Sequence, residues 1–163
     1  DNASKVETIH DLILFHEKTS DQKYDFILDL DVTSPLRTIE DLEKAFQLLL
    51  ENTTALNLFS VNPASRNPYF NMVEENQNGF YSLIKKPTSA VLSTRQSAPK
   101  VYDLNASFYW YRREFFEQKN KSVITDKSLI YVMPHICFDL DHSLDFDFMN
   151  FLVSNNKLDF QLS

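Results

Sequence analysis

Residues 24–61 read YDFILDLDVTSPLRTIEDLEKAFQLLLENTTALNLFSV, and this stretch decides the fold. Residues 24–32 are apolar and β-favouring and stop at a Thr-Ser-Pro sequence, which predicts a buried central strand leading into a loop. Thr38 and Asp41 have the spacing of a capping box, and one apolar helical face is marked by Ile39, Leu42, Phe46 and Leu49. Residues 56–61 form a second apolar run of strand length. The stretch therefore predicts a β-α-β unit with parallel pairing.

Helical and extended patterns lie on either side of this unit. Before it, Val6, Ile9 and Ile13 recur at helical spacing after Ser4, a residue type suited to an N-cap. After it, residues 62–99 contain four prolines between short extended pieces. That composition predicts a hairpin-like, β-rich excursion from the main sheet, suited to covering a site or contacting another subunit.

The last third of the chain predicts two further strands and a helix. Residues 101–111 alternate, which places Asn105 and Tyr109 on one face and Ala106 with Phe108 on the other. Residues 128–133 predict a short strand. A closing amphipathic helix is indicated by Leu144, Phe148, Phe151 and Leu152. Together these patterns predict one α/β domain over residues 1–163.

Composition excludes several classes of partner. The chain has 163 residues, 43% of them apolar, which is enough for a continuous core. A formal charge of -7 argues against binding to nucleic acid or to an anionic membrane surface. No apolar run has the length of a membrane span, and the acidic N-terminus does not resemble a signal peptide. The lone Cys137 cannot form an internal disulfide. We expect a soluble, cytoplasmic protein.

Two features of the chain suggest that an upstream element is absent. It starts at Asp1 rather than methionine and enters a helical pattern at once. Its one glycine, Gly79, leaves no glycine-rich loop to bring backbone N–H groups against a triphosphate. Triphosphate chemistry would therefore need residues that this sequence does not contain.

Two pairs of aspartates are candidates for chemistry. Asp139 and Asp141 are two residues apart, so in an extended segment their carboxylates share a side and suit Mg²⁺. The alternative is a solvated acidic loop before a helix, where the helix dipole favours carboxylates. Asp29, Asp31 and Thr33 form a D-x-D-x-T pattern, as in haloacid dehalogenase-type phosphatases, which use the first carboxylate as nucleophile. The alternative there is two aspartates that end a strand at the ligand-binding edge of a sheet.

Four segments, in order, resemble acylneuraminate cytidylyltransferases. LDLDVTSPLRTIEDLEKA, residues 28–45, resembles their L-Q-P-T-S-P-L-R segment. RQSAPKVYDLNASFYWY, residues 95–111, resembles their R-Q-x-x-P-x-x-Y-x-x-N-G-A-x-Y segment. IYVMPHICFDLDHSLDF, residues 130–146, resembles their closing D-x-D stretch, and DNASK at residues 1–5 resembles their D-x-A-S element. The phosphatase pattern accounts for only one of these segments.

The resemblance implies a fold and a reaction. The fold is a three-layer, Rossmann-like nucleotide-diphospho-sugar transferase fold with a mostly parallel sheet, here without its first β-α unit, and residues 62–99 would form its dimerisation excursion. Such enzymes act as homodimers with Mg²⁺. They transfer CMP from CTP to a nonulosonic acid, such as a sialic or legionaminic acid, and release pyrophosphate for cell-surface glycan or lipopolysaccharide biosynthesis. This chain alone is expected to be inactive.

The resemblance also implies roles for individual residues. Asp139 and Asp141 fall on the magnesium-binding aspartates. Arg95 is expected to act in catalysis by pairing with the sugar-acid carboxylate. The residues expected to bind the sugar are Asp31, Gln96, Asn105 and Tyr109. Those expected to bind the nucleotide are Ser4, Ser34 and Arg37.

Three positions depart from the family pattern. Asp31 stands where many members have glutamine, which adds negative charge beside an anionic substrate unless a cation compensates. Lys5 replaces a small polar residue near the expected base pocket, and Ala106 replaces a glycine. Asp31 suggests a different sugar, such as a diamino sugar like legionaminic acid. The alternatives are the magnesium-dependent phosphatase and a noncatalytic, dimer-forming remnant.

Overall fold

The computed structural model describes residues 4–86, 98–118, 120 and 122–161. They form two compact units, a larger one from residues 4–61 and 105–161 and a smaller one from residues 62–86 and 98–104. The helices and strands, in chain order, are α1 (Lys5–Ser20), β1 (Phe26–Leu30), α2 (Ile39–Glu51), β2 (Asn57–Pro63), β3 (Val73–Glu75), β4 (Tyr81–Leu83), β5 (Tyr102–Arg112), a 3-10 helix (Arg113–Gln118), β6 (Ser128–Val132) and α3 (Ser143–Ser154).

The main sheet is mixed and has the order β1-β5-β2-β6. β5 runs antiparallel to β1, whereas β2 and β6 are parallel. The predicted β-α-β segments are therefore correct as β1, α2 and β2, but their direct parallel pairing is wrong. The long β5 lies between β1 and β2, and the Arg112 N–H donates to the Leu56 carbonyl across that boundary at 2.9 Å. The described sheet is therefore mixed, and the parallel β2–β6 pairing is the part of the predicted mostly parallel sheet that it shows.

β1 is an edge strand in the described sheet, which corrects the prediction of a buried central strand. Its first four residues are half-buried and Leu30 is exposed. β5 covers one edge of β1, and no other described strand pairs with its second edge. The apolar sequence of β1 thus predicted a strand correctly, while its place in the sheet depended on the other strands.

The capping predictions are confirmed at both helices before β2. The Ser4 hydroxyl accepts the Glu7 N–H at the start of α1, and Glu7 Oε2 accepts the Ser4 N–H at 2.8 Å. Thr38 and Asp41 form the matching box at α2. One detail of α2 is wrong, because Ile39, predicted on the apolar face, is exposed. Ile39 is the first residue of α2, and the buried positions of this helix are Asp41, Ala45 and Leu49.

Among the described residues, the core consists of two clusters, each of which includes residues from β2 and β5. One contains Val6 and Ile13 of α1 with Tyr109 and Tyr111. The other contains Ala45 and Leu49 of α2 with Phe108, and Tyr131 and Met133 from β6 and its end. Neighbouring residues of β5 enter different clusters, as the alternation of a strand requires. The three-layer arrangement itself stays a prediction.

The alternation predicted for β5 is interrupted at Ala106. This residue has φ 56°, in the left-handed region, and it packs against the cluster that contains Tyr109 rather than with Phe108. The prediction that placed Ala106 and Phe108 on one face is wrong for this reason. A residue at positive φ breaks the strict two-residue period of a strand.

α3 is present where the sequence predicted a closing helix, but its apolar face is largely exposed. Leu152 is buried, whereas Leu144, Phe148 and Phe151 are exposed. Met149 and Leu152, three residues apart, face the described core. The predicted helix is confirmed, and the predicted burial of its other apolar residues is not.

The smaller unit contains the predicted hairpin. β3 and β4 pair antiparallel from Val73–Leu83 to Glu75–Tyr81. The Asn76 side chain accepts the N–H groups of Asn78 and Phe80, and Gly79 has φ 77°, which a glycine adopts without strain. A role in dimerisation stays a prediction. Across both units, none of the described helices is long and apolar enough to cross a membrane.

Candidate functional site

Three segments that are distant in sequence meet at the loop after β1. The Asp31 N–H donates to the Ser107 carbonyl of β5 at 3.2 Å. The Leu140 N–H donates to the Thr33 carbonyl at 2.8 Å, which holds the Asp139–Asp141 segment against the same loop. The β1 loop, β5 and the segment after β6 therefore form one site, which we call the β1-loop site.

Arg37 braces the loop of this site. Its Nη1 donates to the carbonyl oxygens of Asp31 at 2.9 Å, Ser34 at 2.7 Å and Ser107 at 3.0 Å. Burial lowers the pKa of this guanidinium, although Asp31 and Asp29 act in the opposite direction. The predicted nucleotide-binding Arg37 thus has a structural role, and Nη1 is already engaged with the chain's own backbone.

Ser34 lies inside the loop rather than on its surface. The side chain is fully buried, and its hydroxyl donates to the Phe138 carbonyl at 3.3 Å. Its carbonyl accepts the Ser107 hydroxyl at 2.8 Å, and Cys137 Sγ lies 3.7 Å from Ser34 Oγ. Burial raises the pKa of the Cys137 thiol. The predicted nucleotide contact through Ser34 would therefore depend on its position in the loop, since its hydroxyl is already bonded within the protein.

Asn105 orders β5 beside the site. Its side chain is buried, and its Oδ1 accepts the Ser60 hydroxyl at 2.6 Å and the Ser107 N–H at 3.2 Å. The Ser60 hydroxyl in turn accepts the Phe108 N–H at 3.1 Å. The predicted sugar-binding Asn105 therefore lies where expected on β5, and it links β2 to the strand residues around Ala106.

A lysine and two aspartates form the charged part of the site. The Lys5 ammonium lies 2.8 Å from Asp29 Oδ2, 3.7 Å from Asp31 Oδ2 and 4.0 Å from the centre of the Tyr109 ring. Asp29 and Tyr109 are directly opposite each other in the β1–β5 pairing. The structure thus brings together two predicted sugar-site residues, Asp31 and Tyr109, with a cation whose partners the sequence did not reveal.

Asp31 is held in one orientation. Its Oδ1 accepts the Thr33 N–H at 3.1 Å and the Thr33 hydroxyl at 2.9 Å, while Oδ2 faces Lys5. Partial burial acts to raise the pKa of Asp31, but the Thr33 hydrogen bonds and the nearby Lys5 and Arg37 outweigh it and leave the pKa below its usual value. Asp31 is therefore a carboxylate at neutral pH.

Tyr109 is a buried residue of β5. Burial raises the pKa of its phenol, and Lys5 acts in the opposite direction. Its ring stacks almost parallel to Tyr111, with centroids 6.2 Å apart. Tyr109 therefore presents the face of its ring to Lys5 and is otherwise part of the core.

The predicted magnesium ligands lie beside this charged group. Asp139 is half-buried and accepts the Leu140 N–H through Oδ1 at 2.9 Å, and Asp141 is exposed. Their carboxylate oxygens are the donor type that Mg²⁺ prefers, and Mg²⁺ usually keeps several waters or substrate oxygens as further ligands. The described residues include no group of three or more His, Cys, Asp or Glu side chains arranged for a metal. A magnesium site here stays a prediction.

The remaining predicted site residues have different outcomes. Arg95 and Gln96 lie outside the described residues. Ser4 is the N-cap of α1, so its hydroxyl is engaged by Glu7. The role of Lys5 as the counter-ion of Asp29 and Asp31 was not predicted from the sequence. The available signal was a lysine at the first position of a capped helix, where the helix dipole disfavours a cation.

The phosphatase pattern is less consistent with this geometry. Its nucleophile would be Asp29, which lies within β1 rather than after it. Asp29 Oδ2 is buried and pairs with Lys5 at 2.8 Å. A nucleophilic carboxylate needs access to a phosphoryl group, whereas Oδ2 of Asp29 contacts the ammonium group of Lys5.

Comparison with known proteins agrees with the four-segment resemblance. No family model matches the chain. The chain is 38% identical over 159 residues to "Post-translational flagellin modification protein B" of Campylobacter coli, and this alignment covers 97% of the chain. It is 37% identical over 159 residues, again 97% of the chain, to the "CMP-N,N'-diacetyllegionaminic acid synthase" of Campylobacter jejuni.

The chain spans 65% of the length of each of these relatives. Within that part, the alignments include all four quoted segments except the few residues that 97% coverage leaves out. Each alignment therefore spans the sheet, the β1-loop site and α3 rather than a single motif. These findings confirm the resemblance recognised from the motifs, and the chain is consistent with a cytidylyltransferase family.

Proposed function

We propose that the protein transfers CMP from CTP to a nonulosonic acid of the legionaminic or sialic acid type and releases pyrophosphate. The observation that carries this proposal is the meeting of the LDVTSPLR loop, the Asn105–Tyr109 strand and the Asp139–Asp141 segment at one site. The name of the C. jejuni relative, a CMP-N,N'-diacetyllegionaminic acid synthase, supports the legionaminic type. We place the reaction in the cytoplasm, with two copies of the chain in the active protein.

The chain's own residues would act mainly by positioning. Arg37, through three carbonyl oxygens, fixes the loop that carries Asp31 and Ser34. Asn105 fixes β5 relative to β2 through the Ser60 hydroxyl. Reactions at phosphorus depend strongly on such positioning, because the bond-making and bond-breaking oxygens must be aligned.

Asp139 and Asp141 would hold the magnesium ion. When bound, that ion would offset the negative charge that develops on the phosphates of CTP. Arg95, predicted to pair with the sugar carboxylate, and Gln96 beside it would complete the substrate contacts. The attacking group would be the anomeric oxygen of the sugar, and the leaving group would be pyrophosphate.

A direct assay tests this function. The gene product at its natural length is incubated with CTP, Mg²⁺ and either N,N'-diacetyllegionaminic acid or N-acetylneuraminic acid, and CMP-sugar and pyrophosphate are measured. We expect stoichiometric CMP-sugar and pyrophosphate with the legionaminic acid. Release of inorganic phosphate from phosphosugars that is lost in Asp29→Asn would instead support the phosphatase. Binding of sugar without any product would support the noncatalytic remnant.

The 163-residue chain is a useful second sample in the same assay. It contains one glycine and no glycine-rich phosphate loop. We therefore predict that this chain alone does not turn over CTP. Formation of CMP-sugar by the 163-residue chain would contradict that prediction while still supporting the reaction itself.

A further inference from the structure

Lys5 is in an electrostatically unfavourable place unless it is paired. It is the first residue of α1, where the backbone N–H groups create a positive potential. Its ammonium nevertheless lies within 2.8 Å of Asp29 Oδ2 and 3.7 Å of Asp31 Oδ2. The Tyr109 ring face, 4.0 Å away, supplies a third favourable contact. The three partners thus offset the cost of placing a cation at this helix end.

The same contacts decide the charge of the β1-loop site. Asp29, Asp31 and Asp139 bring three carboxylates to this region, and Lys5 and Arg37 are the cations that the described residues place among them. Arg37 Nη1 is turned towards backbone carbonyls. Lys5 is therefore the cation in direct contact with the carboxylates of Asp29 and Asp31.

A nonulosonic acid is itself a carboxylate, and CTP is a polyanion. Unpaired carboxylates at positions 29 and 31 would repel both substrates, and this repulsion is strong where water is partly excluded. We infer that Lys5 is a specificity-determining residue, which neutralises the aspartates of the β1 loop so that the site accepts an anionic sugar acid. This inference rests on the proposed function, since it concerns the substrate of that reaction.

Lys5 compensates the negative charge of Asp31, whereas the hydrogen bonds that orient Asp31 do not depend on that charge. Oδ1 accepts two hydrogen bonds from Thr33, which a side-chain amide oxygen would also accept. Replacement of Asp31 by asparagine therefore preserves the loop and removes one negative charge. The site of the Asp31→Asn variant needs Lys5 less than the natural site does.

The test is a charge-rescue experiment on the gene product at its natural length. Lys5→Met removes the ammonium and keeps an apolar stem, Lys5→Arg keeps the charge, and Lys5→Met with Asp31→Asn removes one charge of each sign. The apparent KM for the sugar acid and kcat are measured separately for each protein. Lys44→Met serves as the control, because Lys44 forms an exposed ion pair with Glu40 on α2.

We expect Lys5→Met to raise the KM for the sugar acid by about tenfold, as the loss of one nearby compensating charge predicts, with a much smaller effect on kcat. Lys5→Arg and Lys44→Met should keep KM within about twofold of the natural protein, and the double variant should recover most of the loss. A purely structural role for Lys5 would not be rescued by Asp31→Asn. A double variant no better than Lys5→Met, or an unchanged KM in Lys5→Met, overturns the inference.

The activity of the natural protein distinguishes a failure of this inference from a failure of the proposed function. If it forms no CMP-sugar with either sugar acid, the proposed function fails, and the pairing is then measured by NMR titration of the Asp31 carboxyl. Loss of the Lys5 charge should raise the pKa of Asp31. No change in that titration overturns the pairing itself, whereas an active natural protein with an unchanged KM overturns only the role in specificity.

Discussion

His135 Nε2 lies 2.9 Å from Asp41 Oδ2, and both side chains are almost fully buried. The same carboxylate accepts the Tyr131 hydroxyl at 3.1 Å through Oδ1 and the Thr38 N–H at 2.8 Å through Oδ2. Asp41 therefore does more than cap α2. It joins the start of that helix to β6 and to the segment that leads to Asp139.

Removal of this carboxylate should destabilise the protein. We expect Asp41→Asn to lower the free energy of unfolding by about 2–4 kcal/mol, because it leaves buried hydrogen-bond partners without an ionised acceptor. Urea unfolding at neutral pH measures the effect. Glu43→Gln, an exposed change on the same helix, is the control and should change stability by less than about 0.5 kcal/mol. Equal effects of the two changes would contradict a buried role for Asp41.

Asp41 also predicts a pH dependence of stability. Burial acts to raise its pKa, but hydrogen bonds from Thr38 and His135 outweigh burial and leave the pKa below the usual value. A carboxyl whose pKa is lowered by folding stabilises the native state above its unfolded pKa, about 4, and loses this contribution as pH falls through the folded pKa. Unfolding measured from pH 6 to pH 3 should therefore show a steeper loss of stability for the natural protein than for Asp41→Asn. Parallel curves would contradict the assignment.

Replacement of Ala106 by glycine should stabilise the protein. Its φ of 56° costs an L-residue about 1 kcal/mol that glycine does not incur. Part of that gain is offset by the greater freedom of glycine in the unfolded chain, so we expect Ala106→Gly to raise the free energy of unfolding by about 0.5 kcal/mol. Chemical denaturation measures the change.

The matched control for Ala106→Gly is Ala45→Gly in the interior of α2, where the alanine is fully buried. That change should lower stability by about 1 kcal/mol or more, since glycine is unfavourable within a helix and a buried methyl group is lost. The two alanine-to-glycine changes thus have opposite expected signs. A loss of stability in both would argue against strain at residue 106.

Replacement of Arg37 by lysine, which conserves the positive charge, should destabilise the protein. A lysine has no planar guanidinium to reach the carbonyl oxygens of Asp31, Ser34 and Ser107 together. We expect Arg37→Lys to lower the free energy of unfolding by about 1–3 kcal/mol, measured by urea denaturation. Arg66→Lys, at an exposed position, should have little effect. If Arg37→Lys is equally mild, the brace is not important for stability.

The predicted magnesium ligands give a test in catalysis. Asp139→Asn and Asp141→Asn should each reduce kcat by about 100-fold or more, because each removes a carboxylate expected to hold the ion that stabilises charge on the phosphates. Their activity should also need a higher Mg²⁺ concentration. Asp147→Asn, exposed on α3, is the control. Loss of activity in the control alone, or no loss in either ligand variant, would contradict the prediction.

Local patterns predicted much of the secondary structure. The N-cap predicted at Ser4 and the capping box predicted at Thr38 and Asp41 depend on neighbouring residues, and the structure confirms both. Positions within the sheet were less predictable. The placement of β5 between β1 and β2 depends on backbone pairing between distant segments, and no periodicity within β1 or β2 reports which strand will be its neighbour.

By itself, the sequence determined the family resemblance, the strand and helix segments, and the residues expected to act on substrates, because these depend on local order and composition. Only the tertiary structure decided that Arg37 would brace Ser107, 70 residues away, and that Lys5 would pair with Asp29 and Asp31. The physical reason is that hydrogen bonds and ion pairs form between atoms a few ångströms apart in space. Packing of the two core clusters against the sheet sets those distances, and spacing along the chain does not report them.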